Sequence, residues 1–219
     1  MDPRILVINP NSTVAVTEGI DTALASLRMA GGPAIDCVTL PEGPPGIESQ
    51  ADVESVVQPI CRAVQDHAAA AYVIACFSDP GLHLAREATK RPVFGIAECA
   101  MLTAMTRGER FGIIAILPAS VPRHLRYVRA LGLEQRFATS RPIGMGILEL
   151  ADEKRVMERM TAVGAWLRDE RGADVAIMGC AGMARYKGGL EDALGLPVVE
   201  PTQAAATMAI GAVLLAGGP

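Results

Sequence analysis

The stretch AYVIACFSDPGL at residues 71–82 contains the pattern that decides the fold. Five apolar residues rich in β-forming types lead to Cys76, and the letters SDPG after Phe77 supply turn and helix-capping residues. This order is typical of a buried strand that is followed by a helix. In open α/β sheets, ligands bind beyond the carboxyl ends of the strands, near the unpaired N–H groups of the next helix. We therefore expect Cys76 to lie at a binding site.

A second stretch, ADVAIMGCAGM at residues 173–183, has the same form and contains Cys180 after its apolar run. The two cysteines are 180 − 76 = 104 residues apart. Pro10 and Pro118, which each follow an apolar run and precede a helical segment, are 118 − 10 = 108 residues apart. These nearly equal spacings predict two similar βα lobes. We predict that residues 1–96 and 205–219 form the first lobe and that residues 97–204 form the second.

The composition favours an α/β fold. Of the 219 residues, 50% are hydrophobic but only 4% are aromatic. A core of aliphatic side chains is typical of parallel strands that are covered by helices on both faces. We predict two similar lobes, each a mainly parallel four-stranded sheet flanked by helices. A pseudo-two-fold axis relates them, and the site lies in the cleft between them.

Apolar runs bounded by turn residues predict the strands, and longer periodic segments predict the helices. Strands are predicted at residues 4–8, 34–40, 71–75, 93–96, 111–117, 173–179 and 197–199. Helices are predicted at residues 14–28, 51–70, 82–89, 98–107, 121–131, 152–171 and 201–216, with a short Gly-rich region at 187–195.

Charge and cysteine content exclude several classes of protein. The formal net charge is −4, so neither a nucleic acid nor a membrane is expected as a partner. Five cysteines without a CxxC pair, with only three histidines, indicate neither a disulfide framework nor a zinc site. The first residues lack the pattern of a secretory signal, and the most apolar segment, 207–216, is too short to span a bilayer. We expect a cytoplasmic protein with reduced thiols.

Two cysteines at equivalent strand ends would face each other across the cleft between the lobes. One thiolate can then take a proton from a carbon atom while the opposite thiol delivers a proton to the other face, which inverts the stereocentre. A free cysteine has a pKa of ~8.5, and we expect a helix N-terminus to lower the pKa toward ~7, so that both protonation states are accessible. Such chemistry needs no metal and no cofactor.

Each candidate also has a purely structural explanation. Cysteine is one of the most often buried residues, and Cys37 in a strand and Cys61 in a helix are expected to be packing residues. Cys99 follows a strand-to-helix turn that could border the cleft. The three histidines, His67, His83 and His124, lie on helical segments and are expected at the surface or in packing.

Loop residues near the strand ends have two possible roles as well. The segment NPNS at residues 9–12 and the pair Ser78 and Asp79 can cap helices or contact a substrate. Gly182 can permit a close backbone approach, or it can simply serve a turn. Glu200 can reach the cleft or cap the last helix.

Several of these motifs, taken in order, resemble the aspartate/glutamate racemase superfamily in its hydantoin and allantoin racemase branch. The motifs are INPNS at residues 8–12, GPPGIES at 43–49, CFSDPGL at 76–82 and GCAGM at 179–183. The resemblance implies a cofactor-independent racemase that acts on C5–H of a 5-substituted hydantoin or of allantoin, with Cys76 and Cys180 as catalytic residues. It also implies a homo-oligomer and a small-molecule substrate. The implied substrate-binding residues are Asn9, Pro10, Asn11, Ser78, Asp79, Leu117, Pro118, Ala181 and Gly182.

The chain departs from this branch at three places. After the IES segment, relatives often have a tyrosine with acidic residues, whereas this chain has QADV at residues 50–53. Ser78 stands where relatives often have glycine, and the loop at residues 117–119 reads LPA instead of a threonine-rich form. The missing hydroxyl groups argue against a free amino acid or a dicarboxylate as substrate. Three alternatives remain open: a maleate-isomerase-like enzyme, an arylmalonate-decarboxylase-like enzyme and a non-catalytic small-molecule binding domain.

Overall fold

The computed structural model describes residues 3–216 and contains two four-stranded sheets, both entirely parallel. The strand order is β2-β1-β3-β4 in the first sheet and β6-β5-β7-β8 in the second. The strands are β1 (Arg4–Asn9), β2 (Ala34–Thr39), β3 (Ala71–Ile74), β4 (Val93–Gly95), β5 (Phe111–Ala115), β6 (Phe137–Pro142), β7 (Val175–Met178) and β8 (Val198–Val199). The identical order of the two sheets confirms the predicted fold of two similar α/β lobes.

Nine α-helices connect the strands within the described residues. They are α1 (Val14–Ala23), α2 (Gln50–Ser55), α3 (Val57–Asp66), α4 (Leu82–Ala88), α5 (Ile96–Ala104), α6 (Ser120–Ala130), α7 (Glu153–Arg171), α8 (Lys187–Leu194) and α9 (Pro201–Ala216). Short 3₁₀ turns cover Ala25–Leu27, Glu134–Arg136, Ile147–Ala151 and Ala181–Tyr186. The last two turns lie next to the site described below.

Burial explains why the central strands are continuous apolar runs. Every residue of β3, β5 and β7 is buried, because helices cover both faces of each sheet. Helix α5 and helix α9 pack against each other, and both contact strands of the first sheet. Phe111 and Met101 are fully buried in the core cluster that includes side chains from both lobes. The lobes therefore share part of their core.

Four details of the element prediction change. The predicted helix at 51–70 is two helices, α2 and α3, which meet at Val56. The predicted helix at 14–28 ends at Ala23 and continues only as a 3₁₀ turn. The Gly-rich region at 187–195 contains helix α8, and strand β6 was not located from the sequence.

The division into lobes at residues 96–97 and 204–205 stays a prediction. All strands of the first sheet lie within residues 4–95, which belong to the predicted first lobe. All strands of the second sheet lie within residues 111–199, which belong to the predicted second lobe. The predicted first lobe also includes residues 1, 2 and 217–219, which lie outside the described residues. No helix within residues 3–216 is long and apolar enough to cross a membrane.

Candidate active site

The two cysteine loops have nearly the same backbone geometry. Cys76 follows β3 and Cys180 follows β7, the strands at equivalent positions in the two sheets. The carbonyl of Cys76 accepts a hydrogen bond from the N–H of Asp79 at 2.9 Å, and the carbonyl of Cys180 accepts one from the N–H of Met183 at 3.1 Å. The backbone N–H two residues after each cysteine donates to its sulfur. Each loop thus holds its sulfur by the same local turn.

Both sulfur-bearing side chains line one cavity between the lobes, called here the thiol cavity. The first lobe and the loops around it contribute Asn11, Val16, Ile47, Ala75, Cys76, Phe77 and Ser78. The second lobe contributes Ile116, Ser120, Arg123, His124, Ile147, Gly179, Cys180, Ala181 and Gly182. Of the predicted site residues, the structure brings Asn11, Cys76, Ser78, Cys180, Ala181 and Gly182 together on this cavity.

The remaining predicted contact residues do not line the thiol cavity. Asn9 is fully buried, and its Nδ2 donates to Asn11 Oδ1 at 3.1 Å and to Thr17 Oγ1 at 2.9 Å. Asn9 therefore positions Asn11, which does line the cavity. Pro10 is buried, Leu117 is half-buried and Pro118 is exposed at the turn before α6.

Asp79 caps a helix, which is one of the two roles that the sequence allows, but the helix is α5 and not the following helix α4. Its buried carboxylate accepts hydrogen bonds from the N–H groups of Ala97 at 2.9 Å and Glu98 at 2.8 Å, which caps the N-terminus of α5. The same carboxylate accepts a 2.7 Å hydrogen bond from the Tyr127 hydroxyl on α6. Gly95 is required beside it, because a Cβ there would lie 2.2 Å from Asp79 Oδ2. Asp79 thus joins the Cys76 loop to α5 and to the second lobe.

Asp79 also has an unusual backbone conformation. Its φ of 43° makes it the one non-glycine residue with a positive φ among the described residues. Left-handed conformations cost roughly 1–2 kcal/mol for most residues and less for aspartate, whose short side chain forms local hydrogen bonds. This conformation places the carboxylate at the start of α5 instead of at its own helix α4.

Glu200 caps a helix as well. Its buried carboxylate accepts hydrogen bonds from the N–H groups of Thr202 at 3.0 Å and Gln203 at 2.6 Å at the start of α9. Burial raises the pKa of this carboxyl group, and the two N–H donors oppose the increase. Of the two roles considered for Glu200, the structure shows the capping role.

Arg123 and His124 on α6 are cavity residues that the sequence analysis missed. Among the described residues that line the thiol cavity, Arg123 is the only one with a formal charge at neutral pH. Burial lowers the pKa of His124 to about 3, so its ring is neutral, and its Nδ1 lies 2.9 Å from Ser140 Oγ. The ring of His124 also packs edge-on against Phe77, with 5.2 Å between the centroids. Periodicity predicts helix α6 but does not show which face meets a cavity.

The other cysteines and histidines lie away from the thiol cavity. Cys61 and Cys99 are buried in helices α3 and α5, and Cys37 is half-buried in β2. His67 and His83 are exposed. Within residues 3–216, no group of three or more His, Cys, Asp and Glu side chains could hold a metal ion.

Comparison with known proteins agrees with this arrangement. A family model described as Asp/Glu/Hydantoin racemase matches residues 5–209. The chain belongs to the Asp/Glu/hydantoin racemase family. It is 37% identical over 218 residues to a hydantoin racemase of Paenarthrobacter aurescens, covering 97% of this chain and 92% of that protein. It is also 37% identical over 211 residues to a hydantoin racemase of Rhizobium meliloti, covering 94% and 87%.

A solved structure of a family member is similar over almost the whole chain. The allantoin racemase from Pseudomonas fluorescens has a TM-score of 0.93 and 30% identity, covering 97% of this chain and 92% of that one. Family membership and these relatives make the chain an isomerase of the racemase type. The sequence resemblance to the racemase superfamily is confirmed.

Both thiols of the racemase are protonated at neutral pH. Burial raises the pKa of Cys76 to about 12 and that of Cys180 to about 11, although the N–H groups of Ser78 and Gly182 favour the thiolates. The expectation that a helix N-terminus lowers these pKa values is wrong, because desolvation is the largest effect at both thiols. Helix α4 begins only at Leu82, and Cys180 precedes only a short 3₁₀ turn. The charge of Arg123 lowers the pKa of Cys76, but by less than burial raises it.

Alkylation of the substrate-free racemase is expected to report these raised pKa values. The rate at which iodoacetamide modifies Cys76 and Cys180 should rise about tenfold per pH unit up to at least about pH 10, since only the thiolate reacts. Peptide-resolved mass spectrometry measures each site separately. A small free thiol in the same buffers should level off above its pKa of about 8.5. A plateau below about pH 9 at both cysteines would contradict the burial argument.

Proposed function

We propose that the protein is a cofactor-independent racemase that inverts the C5 stereocentre of 5-substituted hydantoins or of allantoin by proton transfer between two cysteines. The observation that carries this proposal is the placement of Cys76 and Cys180 at equivalent strand ends of two parallel sheets, on one cavity. A binding domain without activity would not require two thiols held by matching turns. The names of the hydantoin and allantoin racemases among its relatives support the choice of substrate class.

The reaction exchanges one C–H bond for another. The reaction starts when one thiol has lost its proton to solvent. The thiolate so formed removes the C5 proton, which breaks C5–H, forms S–H and leaves the electron pair delocalised into the adjacent carbonyl. The thiol on the opposite side then gives its proton to the other face of C5, which breaks its S–H and leaves a thiolate there. One proton has left and one has arrived, so the total charge is unchanged and the configuration is inverted.

The walls of the thiol cavity fit the charge that this reaction needs. One negative charge is present at every stage, either on a thiolate or on the enolate of the substrate, and Arg123 supplies a positive charge beside Cys76. The N–H groups of Ser78 and Gly182 donate to the sulfurs and favour the thiolate form of either cysteine. Asn11, Ser120 and Ser78 provide polar atoms for the ring oxygens and nitrogens of a hydantoin.

Proton exchange in D₂O tests the proposal directly. Purified protein incubated with single enantiomers of 5-substituted hydantoins or allantoin is expected to replace C5–H by deuterium and to abolish optical rotation. Proton NMR follows the first process and polarimetry the second, each against an enzyme-free blank. A thiol alkylator should inhibit and a metal chelator should not. If no compound of the series exchanges faster than the blank, the protein is not a racemase of this class.

Three further expectations accompany this function. We expect no metal or organic cofactor, a cytoplasmic location and a homo-oligomer. Size-exclusion chromatography with light scattering measures the oligomeric state of the purified protein. Metal analysis of the active preparation tests the absence of a metal, since a stoichiometric ion that is needed for activity would contradict a mechanism that uses only thiols.

A further inference from the structure

Two chambers adjoin the thiol cavity. The first, called here the arginine chamber, adjoins the Cys76 loop. The second, called the opposite chamber, adjoins the Cys180 loop. The arginine chamber is lined by Gln50, Val53, Phe77, Ser78, Arg123, His124, Arg126, Tyr127 and Ala130. Four of these residues also line the thiol cavity, so the two spaces are adjacent and share a wall.

The internal symmetry of the fold relates the two chambers. Five residues of α6 line the arginine chamber, at positions 123, 124, 126, 127 and 130. Six residues of α1 line the opposite chamber, and five of them, at positions 15, 16, 18, 19 and 22, lie 108 positions before the five residues of α6. This offset equals the spacing of Pro10 and Pro118. The two chambers therefore occupy equivalent positions in two similar lobes. Differences between their side chains show how one lobe has become specialised relative to the other.

Charge is the main difference between the two chambers. Arg123 and Arg126 in one chamber correspond to Ala15 and Glu18 in the other. The arginine chamber has no Asp or Glu among its described lining residues. In the opposite chamber, the guanidinium group of Arg185 is paired with Glu153 at 3.4 Å. The arginine chamber thus has two positive charges and no carboxylate among its lining residues. Asp52 acts on the charge of Arg123 from outside the chamber but forms no ion pair with it.

The hydrogen bonds of the two arginines leave capacity for a ligand. Arg123 donates from Nη1 to the Ala119 carbonyl at 3.0 Å and from Nη2 to the Glu48 carbonyl at 3.1 Å, but its buried Nε has no partner. Arg126 donates from Nη2 to the neutral Gln50 side chain at 2.9 Å. Neither forms an ion pair with a described residue, whereas Arg129 on the same helix is paired with Glu134 at 2.7 Å. A buried donor without a partner is costly, and an anionic ligand would supply the missing acceptor.

We propose that the arginine chamber binds the C5 substituent of the substrate and selects substituents that end in a carboxylate. This inference rests on the proposed function, since it assigns the substituent of the same ring that reacts between Cys76 and Cys180. Hydantoins with a carboxymethyl or 2-carboxyethyl group at C5 have this chemistry. The loop at residues 117–119 lacks hydroxyl groups that would bind the carboxylates of a free amino acid. An acidic substituent on a hydantoin ring lies in a different place, beside Arg123 and Arg126 in the arginine chamber.

A pair of nearly isosteric substrates tests the charge preference. The compounds are single enantiomers of 5-(2-carboxyethyl)hydantoin and of its neutral amide, 5-(2-carbamoylethyl)hydantoin. The kcat/KM for racemisation is expected to favour the carboxylate by about tenfold in the wild-type protein, as one charge-assisted contact provides. Arg126→Gln is expected to lower this ratio by at least about threefold, because it removes one of the two charges. Arg129→Gln, which makes the same change on the same helix but outside the chamber, should keep the wild-type ratio.

Each result decides the proposal. A wild-type ratio near one or below it, or a ratio that Arg126→Gln and Arg129→Gln change equally, overturns the inference. Calorimetric binding of both compounds to a Cys76→Ser/Cys180→Ser double variant separates this question from catalysis. If neither compound is racemised but the carboxylate binds more tightly, the preference of the arginine chamber for a carboxylate is supported and the proposed function is wrong. If the amide is racemised and the protein does not favour the carboxylate in either rate or binding, the proposed function is supported and only the inference about the arginine chamber is wrong.

Discussion

Cys76→Ser and Cys180→Ser are each expected to lower the rate of racemisation by about 10³-fold or more. A serine hydroxyl in the same place is a far weaker acid than a thiol, so it can neither form the anionic base nor donate its proton readily. Both cysteines line the thiol cavity, and serine is the nearest substitute in size. Polarimetry with each enantiomer of a 5-substituted hydantoin measures the loss.

Hydrogen exchange in the same variants gives a sharper result than the loss of inversion. In Cys76→Ser, the remaining Cys180 can still remove the C5 proton of the enantiomer that faces it and return a deuteron to the same face. The compound then gains deuterium but keeps its configuration. Cys180→Ser should do the same with the other enantiomer, so the two variants are expected to label opposite enantiomers.

Cys37→Ser provides a control for this experiment. Cys37 is half-buried in β2 and does not line the thiol cavity, so its variant should racemise both enantiomers at the wild-type rate. Full activity in either cavity variant would exclude the paired-thiol mechanism. Labelling of the same enantiomer by both variants would show that the two sulfurs do not act on opposite faces of C5.

The central strands of both sheets could be predicted from sequence because they are buried on both faces. Strands β3 and β7 are continuous apolar runs before a cysteine, and their equivalent places in two sheets of identical order explain the spacing of Cys76 and Cys180. Strand β6 could not be found this way. It is an edge strand with the sequence FATSRP, in which only alternate residues are buried, and it ends in proline. Its pairing with β5 is a tertiary interaction that no local pattern indicates.

Site residues at the end of a strand could be predicted from the sequence. Site residues that lie on one face of a helix could not. Cys76 and Cys180 lie on the cavity because each directly follows a central strand. Arg123 and His124 lie on the cavity because one face of α6 packs toward the space between the lobes. The sequence of a helix does not indicate which other elements its faces will contact. The 108-residue offset is the one signal that could have found them, since it relates His124 to Val16 and both line the cavity.

Asp79→Ala is expected to have the largest effect on stability of any single change near the site. The variant leaves the N–H groups of Ala97 and Glu98 and the hydroxyl of Tyr127 without their acceptor in a buried place. It also puts alanine at a φ of 43°, where it lacks the local hydrogen bonds of aspartate. We expect the free energy of unfolding to fall by about 3–5 kcal/mol, measured by urea denaturation. Tyr127→Phe removes only one of these hydrogen bonds and should cost about 1 kcal/mol.

The pH dependence of stability separates the capping role of Asp79 from mere packing. Burial raises the pKa of this carboxyl group from 3.8 to about 7, against the opposing effect of its three hydrogen-bond donors. Between these values the unfolded chain has already lost the proton that the folded chain still holds, so the free energy of unfolding falls as the pH rises from about 4 to about 7. Asparagine at position 79 cannot ionise and tolerates the positive φ, so the Asp79→Asn variant should lack the decrease in stability between about pH 4 and about pH 7. Parallel stability curves for Asp79→Asn and the wild-type protein over that range would show that Asp79 does not titrate there.

Since the same carboxylate fixes the loop that carries Cys76, a loss of stability in Asp79→Ala should be accompanied by a loss of kcat in conditions where the variant is still folded.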